Sequence, residues 1–173
     1  MPILREIQKH VPDCTYSVTV GIGSILRNIE QFGVDLDPSY QRKIVWTEQQ
    51  QSKFVGAALE NPKAVPPFWL NWKHLEHDRS HSEMVDGRQR TNACIRWLNG
   101  DIEAVCPCGI TVAYQDLDEV DRRCCSTSIG FTWNFVDLDS IEIMKFYLRL
   151  NSGGTIHSPE DLAKVSKMIK ELQ

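Results

Sequence analysis

The alternation of apolar and polar positions divides the chain into short strands and helices. Residues 14–20 (CTYSVTV) alternate and are rich in β-branched types, which predicts a strand, and residues 23–30 place Ile25, Leu26 and Ile29 on one side of a short helix. Thr47 with Gln50 three positions on forms a capping box that opens a helix to about Glu60, where Asn61-Pro62 stops it. The segment PFWLNW at 67–72 reads as a strand, and a short strand at 83–85 runs into Asp86-Gly87. Behind it, Ala93, Cys94, Trp97 and Leu98 recur at helical spacing over 88–99, and Gly100 ends the run.

The second half repeats this vocabulary. Residues 102–105 and 110–114 flank a tight Cys-Pro-Cys-Gly turn and predict a hairpin. A helix is expected over 116–125, a strand over 129–136, and a helix from Asp139 and Glu142 to about Leu150. Ser158-Pro159 caps a last helix with the stripe Leu162, Val165, Ile169 and Leu172. Strands and helices interleave without a strict βαβ rhythm, so the class is α+β or mixed α/β.

Composition narrows the function. At 173 residues, with 42% apolar residues, the chain has the size and core of one domain. It contains no apolar run near the ~18 residues of a membrane span, and MPILREIQKH lacks the apolar segment of a secretory signal. A cytoplasmic, membrane-free protein is expected. The net charge of −4 excludes gripping nucleic acid by bulk charge and leaves room for a local basic site. Six cysteines in that compartment read as free thiols. Cys14 and Cys94 lie in apolar segments; Cys106, Cys108, Cys124 and Cys125 do not match zinc-knuckle spacing, although a metal there stays an alternative. His74, His77 and His81 lie in a polar loop, and Asp116, Asp118, Glu119 and Asp121 read as a solvated helix face.

Three segments carry candidate chemistry. In Val85-Asp86-Gly87-Arg88-Gln89-Arg90-Thr91, glycine permits a sharp turn from strand into helix, and the first helical N–H groups lack partners. Such an end attracts phosphate, Arg88 and Arg90 add guanidinium forks, and Asp86 offers a carboxylate for a cation or proton. A capped helix with exposed arginines is the plain alternative. The stretch Asp37-Pro38-Ser39-Tyr40-Gln41-Arg42 offers Tyr40 for stacking on a base and Arg42 for a phosphate, or an ordinary turn. The third, 146–154 (FYLRLNSGG), ends in glycines that bring backbone amides near a ligand or simply end a helix.

Together, PSYQRKIVW, VDGRQRT and FYLRLNSGGT in that order resemble the ParB-like N-terminal domain of GmrSD-type and SspE-type DNA-defence proteins, over roughly residues 20–165. The resemblance implies a ParB/sulfiredoxin-like α+β fold, a mixed sheet with surrounding helices, that binds and often hydrolyses a nucleotide. It assigns Asp86, Gln89 and Arg90 to catalysis. Tyr40, Gln41, Arg42, Gly87, Arg88, Arg149, Asn151, Gly153 and Gly154 would bind an NTP, with Mg²⁺ at Asp86. Arg88 stands where the family has a glutamine, which favours phosphate binding over positioning of water.

No His-Asn-His nuclease pattern is present, and the chain stops soon after the third segment. The expectation is a single domain, 1–173, without the usual nuclease half, acting with DNA and a separate nuclease or effector subunit. The leading function is an NTP-binding, NTP-hydrolysing domain of DNA defence, counter-defence or modification. Its alternatives are a non-catalytic DNA- or partner-binding module, of bacterial or phage origin, and a ParB-like phosphotransferase.

Overall fold

The computed structural model describes residues 16–74, 80–151 and 159–171. Within them lie strands β1 (Tyr16–Gly21), β2 (Val34–Asp35), β3 (Phe68–His74), β4 (Ser80–Asp86), β5 (Ala104–Val105), β6 (Thr111–Val112) and β7 (Gly130–Val136). The helices are α1 (Ile25–Gln31), α2 (Glu48–Glu60), α3 (Arg88–Asn99), α4 (Glu119–Thr127), α5 (Ser140–Asn151) and α6 (Pro159–Glu171). Five strands form one sheet in the order β1-β7-β3-β4-β2, and β5-β6 make a separate hairpin. The β1/β7 and β3/β4 pairs are antiparallel, whereas β7/β3 and β4/β2 are parallel, so the sheet is mixed and the fold is α+β.

Alternation sorts the two faces. Phe131, Trp133 and Phe135 of β7 point the same way as Phe68 and Leu70 of β3 and Met84 of β4, into a large apolar core. Val55 and Ala58 of α2 and Ala93, Cys94 and Trp97 of α3 close that core, the Trp97 indole donating to the Val112 carbonyl at 3.1 Å. Opposite, Val85 and Val136 meet Ile143, Met144 and Tyr147 of α5, Val165 of α6 and Tyr40. The β1–β7 part of that second face is polar, with Ser17 Oγ donating to Asn134 Oδ1 at 2.6 Å.

The expected termini hold where local chemistry defines them. Thr47 and Gln50 cap α2 reciprocally, and α3 ends at Gly100 with φ 83°. Asp139 Oδ1 accepts from the N–H groups of Ile141 and Glu142, both at 2.8 Å, and opens α5. Three expectations need correction. The strand predicted at 83–85 is seven residues long, because Ser80, His81 and Ser82 pair with His74, Lys73 and Trp72 of β3, so His74 and His81 lie in strands rather than in a loop, while His77 lies outside the described residues. The two-residue β2 was not predicted, and its edge pairing has no sequence period. The helix expected over 116–125 begins at Glu119, where the Asp118 side chain accepts from the Asp121 N–H. Cys14, Ser158 and Leu172 lie outside the described residues.

No helix among the described residues is long and apolar enough to cross a membrane. The thiols of Cys94, Cys106, Cys108, Cys124 and Cys125 are free. Burial pushes Cys94 up to about 12 and Cys125 up to about 11. Among the described residues no three His, Cys, Asp or Glu side chains gather as a metal site.

Candidate functional site

The junction of β4 and α3 is built around Gly87. Its φ of 111° is left-handed, and a Cβ there would collide with Cδ1 of Phe68, so both backbone and packing require glycine. The N-cap of α3 is Gly87, which has no side chain to cap the N–H groups of the first turn.

The side chains around this turn grip neighbouring loops. Arg90 Nη2 pairs with Asp86 Oδ2 at 2.6 Å and donates to the Pro67 carbonyl, while Nη1 donates to that of Pro66. Its guanidinium stacks on the Phe68 ring, 4.5 Å from the centroid. Burial lowers the Arg90 pKa, and Asp86 opposes that shift. Gln89 Oε1 accepts from the N–H groups of Val45 and Trp46 at 3.0 and 3.2 Å, and its Nε2 donates to the Lys43 carbonyl at 3.0 Å. Arg88 Nη1 donates to the Arg42 carbonyl at 2.8 Å, and Nη2 pairs with Asp37 Oδ1 at 2.6 Å. Residues 36–47 have no sheet partner, so these side chains supply bonds that a strand neighbour would otherwise make.

Three sequence expectations change accordingly. Arg88 and Arg90 are 13% and 11% exposed and are engaged with protein rather than open to solvent. The Gln89 amide is bonded at both ends to the 43–46 loop. Tyr40 is buried, its ring 5.4 Å from that of Tyr147, and offers no open face for a base. Burial, reinforced by Glu83, raises the Tyr40 pKa.

Gln41 and Arg42 lie at the same end of β4. Gln41 is buried and donates to the Met84 carbonyl. Arg42 is half-buried, and no ion pair or hydrogen bond of its side chain occurs among the described residues. Arg149 on α5 lies over Phe146, 5.6 Å from the ring centroid, and Phe146 meets Trp69 edge-on at 5.2 Å. Asn151 is the last residue of α5, and Gly153 and Gly154 lie outside the described residues. The first and second segments therefore meet directly, and the Tyr40–Tyr147 contact brings in the third.

Sequence reasoning missed the polar groups beneath them. Glu83 is 2% exposed and accepts from Asn71 Nδ2 at 3.2 Å; Asn71 also donates to the Leu138 carbonyl and accepts from the Leu138 N–H. The Tyr40 hydroxyl is buried and has no hydrogen-bond partner among the described residues. A carboxylate three positions before Asp86, in phase with apolar Val85, was the available signal for Glu83.

In this α+β domain the first motif segment is bonded to the second at the start of α3, and Tyr40 of the first touches Tyr147 of the third. The profile described as the GmrSD restriction endonuclease, N-terminal domain, matches residues 22–166, and the chain belongs to that family. Its setting is therefore DNA restriction. No curated protein and no solved structure matches the chain.

Proposed function

We propose that this domain binds a nucleoside triphosphate with Mg²⁺ and thereby controls restriction of DNA. The carrying observation is that the Tyr40–Arg42 segment is bonded to the Asp86–Arg90 box at the start of α3 and reaches α5 through the Tyr40–Tyr147 contact. Phosphate oxygens accept from the first N–H groups of α3, and Arg42 provides the adjacent guanidinium. Asp86 fits the metal: Oδ2 is bonded to Arg90, and Oδ1 faces no bonded partner among the described residues. Mg²⁺ commonly takes one or two carboxylates and completes its shell with phosphate and water. When bound, it would neutralise phosphate charge.

Binding is better supported than hydrolysis, because the Gln89 amide that would orient water is held by Lys43, Val45 and Trp46. Turnover in this reading needs the loop to release Gln89. A nuclease domain or subunit performs the cutting, with DNA as its target.

Titrating ATP, GTP and CTP with Mg²⁺ against wild type, Arg42→Ala and Asp86→Asn tests the reading. Saturable binding by the wild type, at least tenfold weaker in Arg42→Ala, is expected for loss of a charge-assisted contact of about 1.5–3 kcal/mol. Loss of the Mg²⁺ dependence in Asp86→Asn is the second signature. Absence of wild-type binding to all three nucleotides sinks it.

Exposed Lys43 beside Arg42 favours a second reading, in which the same loop holds DNA phosphates without turnover. Affinity for a DNA duplex that falls steeply with salt, with no nucleotide binding, would select that reading.

A further inference from the structure

Arg88 differs from the other box side chains in what holds it. Gln89 is fastened to backbone groups of residues 43–46, and Arg90 to two proline carbonyls as well as Asp86. Arg88 has one backbone partner, the Arg42 carbonyl, and one side-chain partner, Asp37. The Asp37 side chain is 78% exposed, and it extends from a turn in which its own N–H donates to Asp35 Oδ1 at 2.8 Å. Arg88 is 13% exposed, so an incoming anion has little free guanidinium edge to approach.

An exposed carboxylate is held weakly by its partner because water competes for both charges. A phosphate group presents the same pair of acceptor oxygens to the guanidinium with more negative charge. We propose that Asp37 is a built-in competitor for the phosphate site: its carboxylate occupies Arg88 Nη2 until a phosphate of the ligand displaces it. The inference rests on the phosphate-binding reading above and adds a regulator to it. Asp37 sets how strongly the site discriminates a highly charged phosphate chain from a weaker anion, and its displacement frees the start of the 36–47 loop that Arg88 ties to α3.

The test is a cycle of four proteins, wild type, Asp37→Asn, Arg88→Gln and the double variant, titrated at low salt with inorganic tripolyphosphate and with ATP, GTP and CTP. Asp37→Asn should bind about two- to fivefold more tightly, the effect of removing an exposed ion-pair competitor. Arg88→Gln should bind more weakly than wild type. Adding Asp37→Asn to Arg88→Gln should change nothing, because the competed group is gone. Equal or weaker binding by Asp37→Asn overturns the competitor and leaves the nucleotide reading standing. Equal tightening in both backgrounds also overturns it, since general charge relief then explains the gain. Failure of all four proteins to bind any probe overturns both readings together.

Discussion

The two faces of the sheet solve different problems. The face covered by α2 and α3 is mostly hydrocarbon and aromatic surface, with Phe68, Trp97, Trp133 and Phe135 fully buried, although Ser82 Oγ, Thr91 Oγ1 and Trp133 Nε1 are buried there without a hydrogen-bond partner among the described residues. The face covered by α5, α6 and residues 36–41 is a smaller apolar cluster interrupted by Glu83, Asn71 and an unpartnered Tyr40 hydroxyl. Burial on the first face stabilises the fold by removing apolar surface from water. Burying polar groups on the second carries a desolvation penalty that only matched hydrogen bonds offset. The first face holds the fold, and the second holds the loop beside the candidate site. The β4–α3 turn, with Gly87 seated on Phe68, joins them.

The sharpest way to break this contrast is at Trp97, where Trp97→Ala should cost about 3–5 kcal/mol by leaving a large cavity. Urea unfolding measures it, and a loss under 1 kcal/mol would mean that the apolar face does not dominate stability. Arg90→Ala should come next, at about 2 kcal/mol. It strands the Pro66 and Pro67 carbonyls and removes the stack on Phe68, with the Asp86 part discounted for solvent access. Gln89→Ala should cost only about 1 kcal/mol globally, because water reaches the exposed loop. Hydrogen exchange at the Val45 and Trp46 amides should nevertheless accelerate, and unchanged exchange there would dissociate Gln89 from the loop.

The smallest effect belongs to Tyr40→Phe, within about 1 kcal/mol of wild type at neutral pH and of either sign, since the hydroxyl has no partner to lose. Its signature is the pH profile. The folded-state pKa of Tyr40 is raised above its ordinary 10.0, so the unfolded chain releases this proton first. The contribution of Tyr40 is complete below about pH 10 and declines as pH rises beyond it. Stability measured from pH 9 to 11.5 should therefore fall less steeply in Tyr40→Phe. Parallel profiles would show that the ring is not buried in the folded protein.

Much of the scaffold was legible in the sequence because its rules are local. The Thr47–Gln50 box, the Gly100 stop and the alternation of residues 129–136 each need only near neighbours along the chain. β4 was foreshortened because Ser80, His81 and Ser82 look like a polar loop until β3 pairs with them. At the site, the DGRQR run was readable as a strand-to-helix turn with an anion-friendly start. Apart from Asp86, four positions before Arg90, the partners of its side chains were not readable, since they lie more than twenty positions away: Asp37 and Arg42 for Arg88, residues 43–46 for Gln89, Pro66 and Pro67 for Arg90.

By itself, the order of residues determined the element types, the glycine turn at 87 and the family, because spacing, φ preference and motif order are written along one dimension. Only the tertiary structure decided which guanidinium and amide groups hold the protein to itself. A hydrogen bond is satisfied by whichever acceptor lies within reach, and reach across the sheet is a property of the folded chain alone. For Arg88 one such acceptor is the largely exposed carboxylate of Asp37.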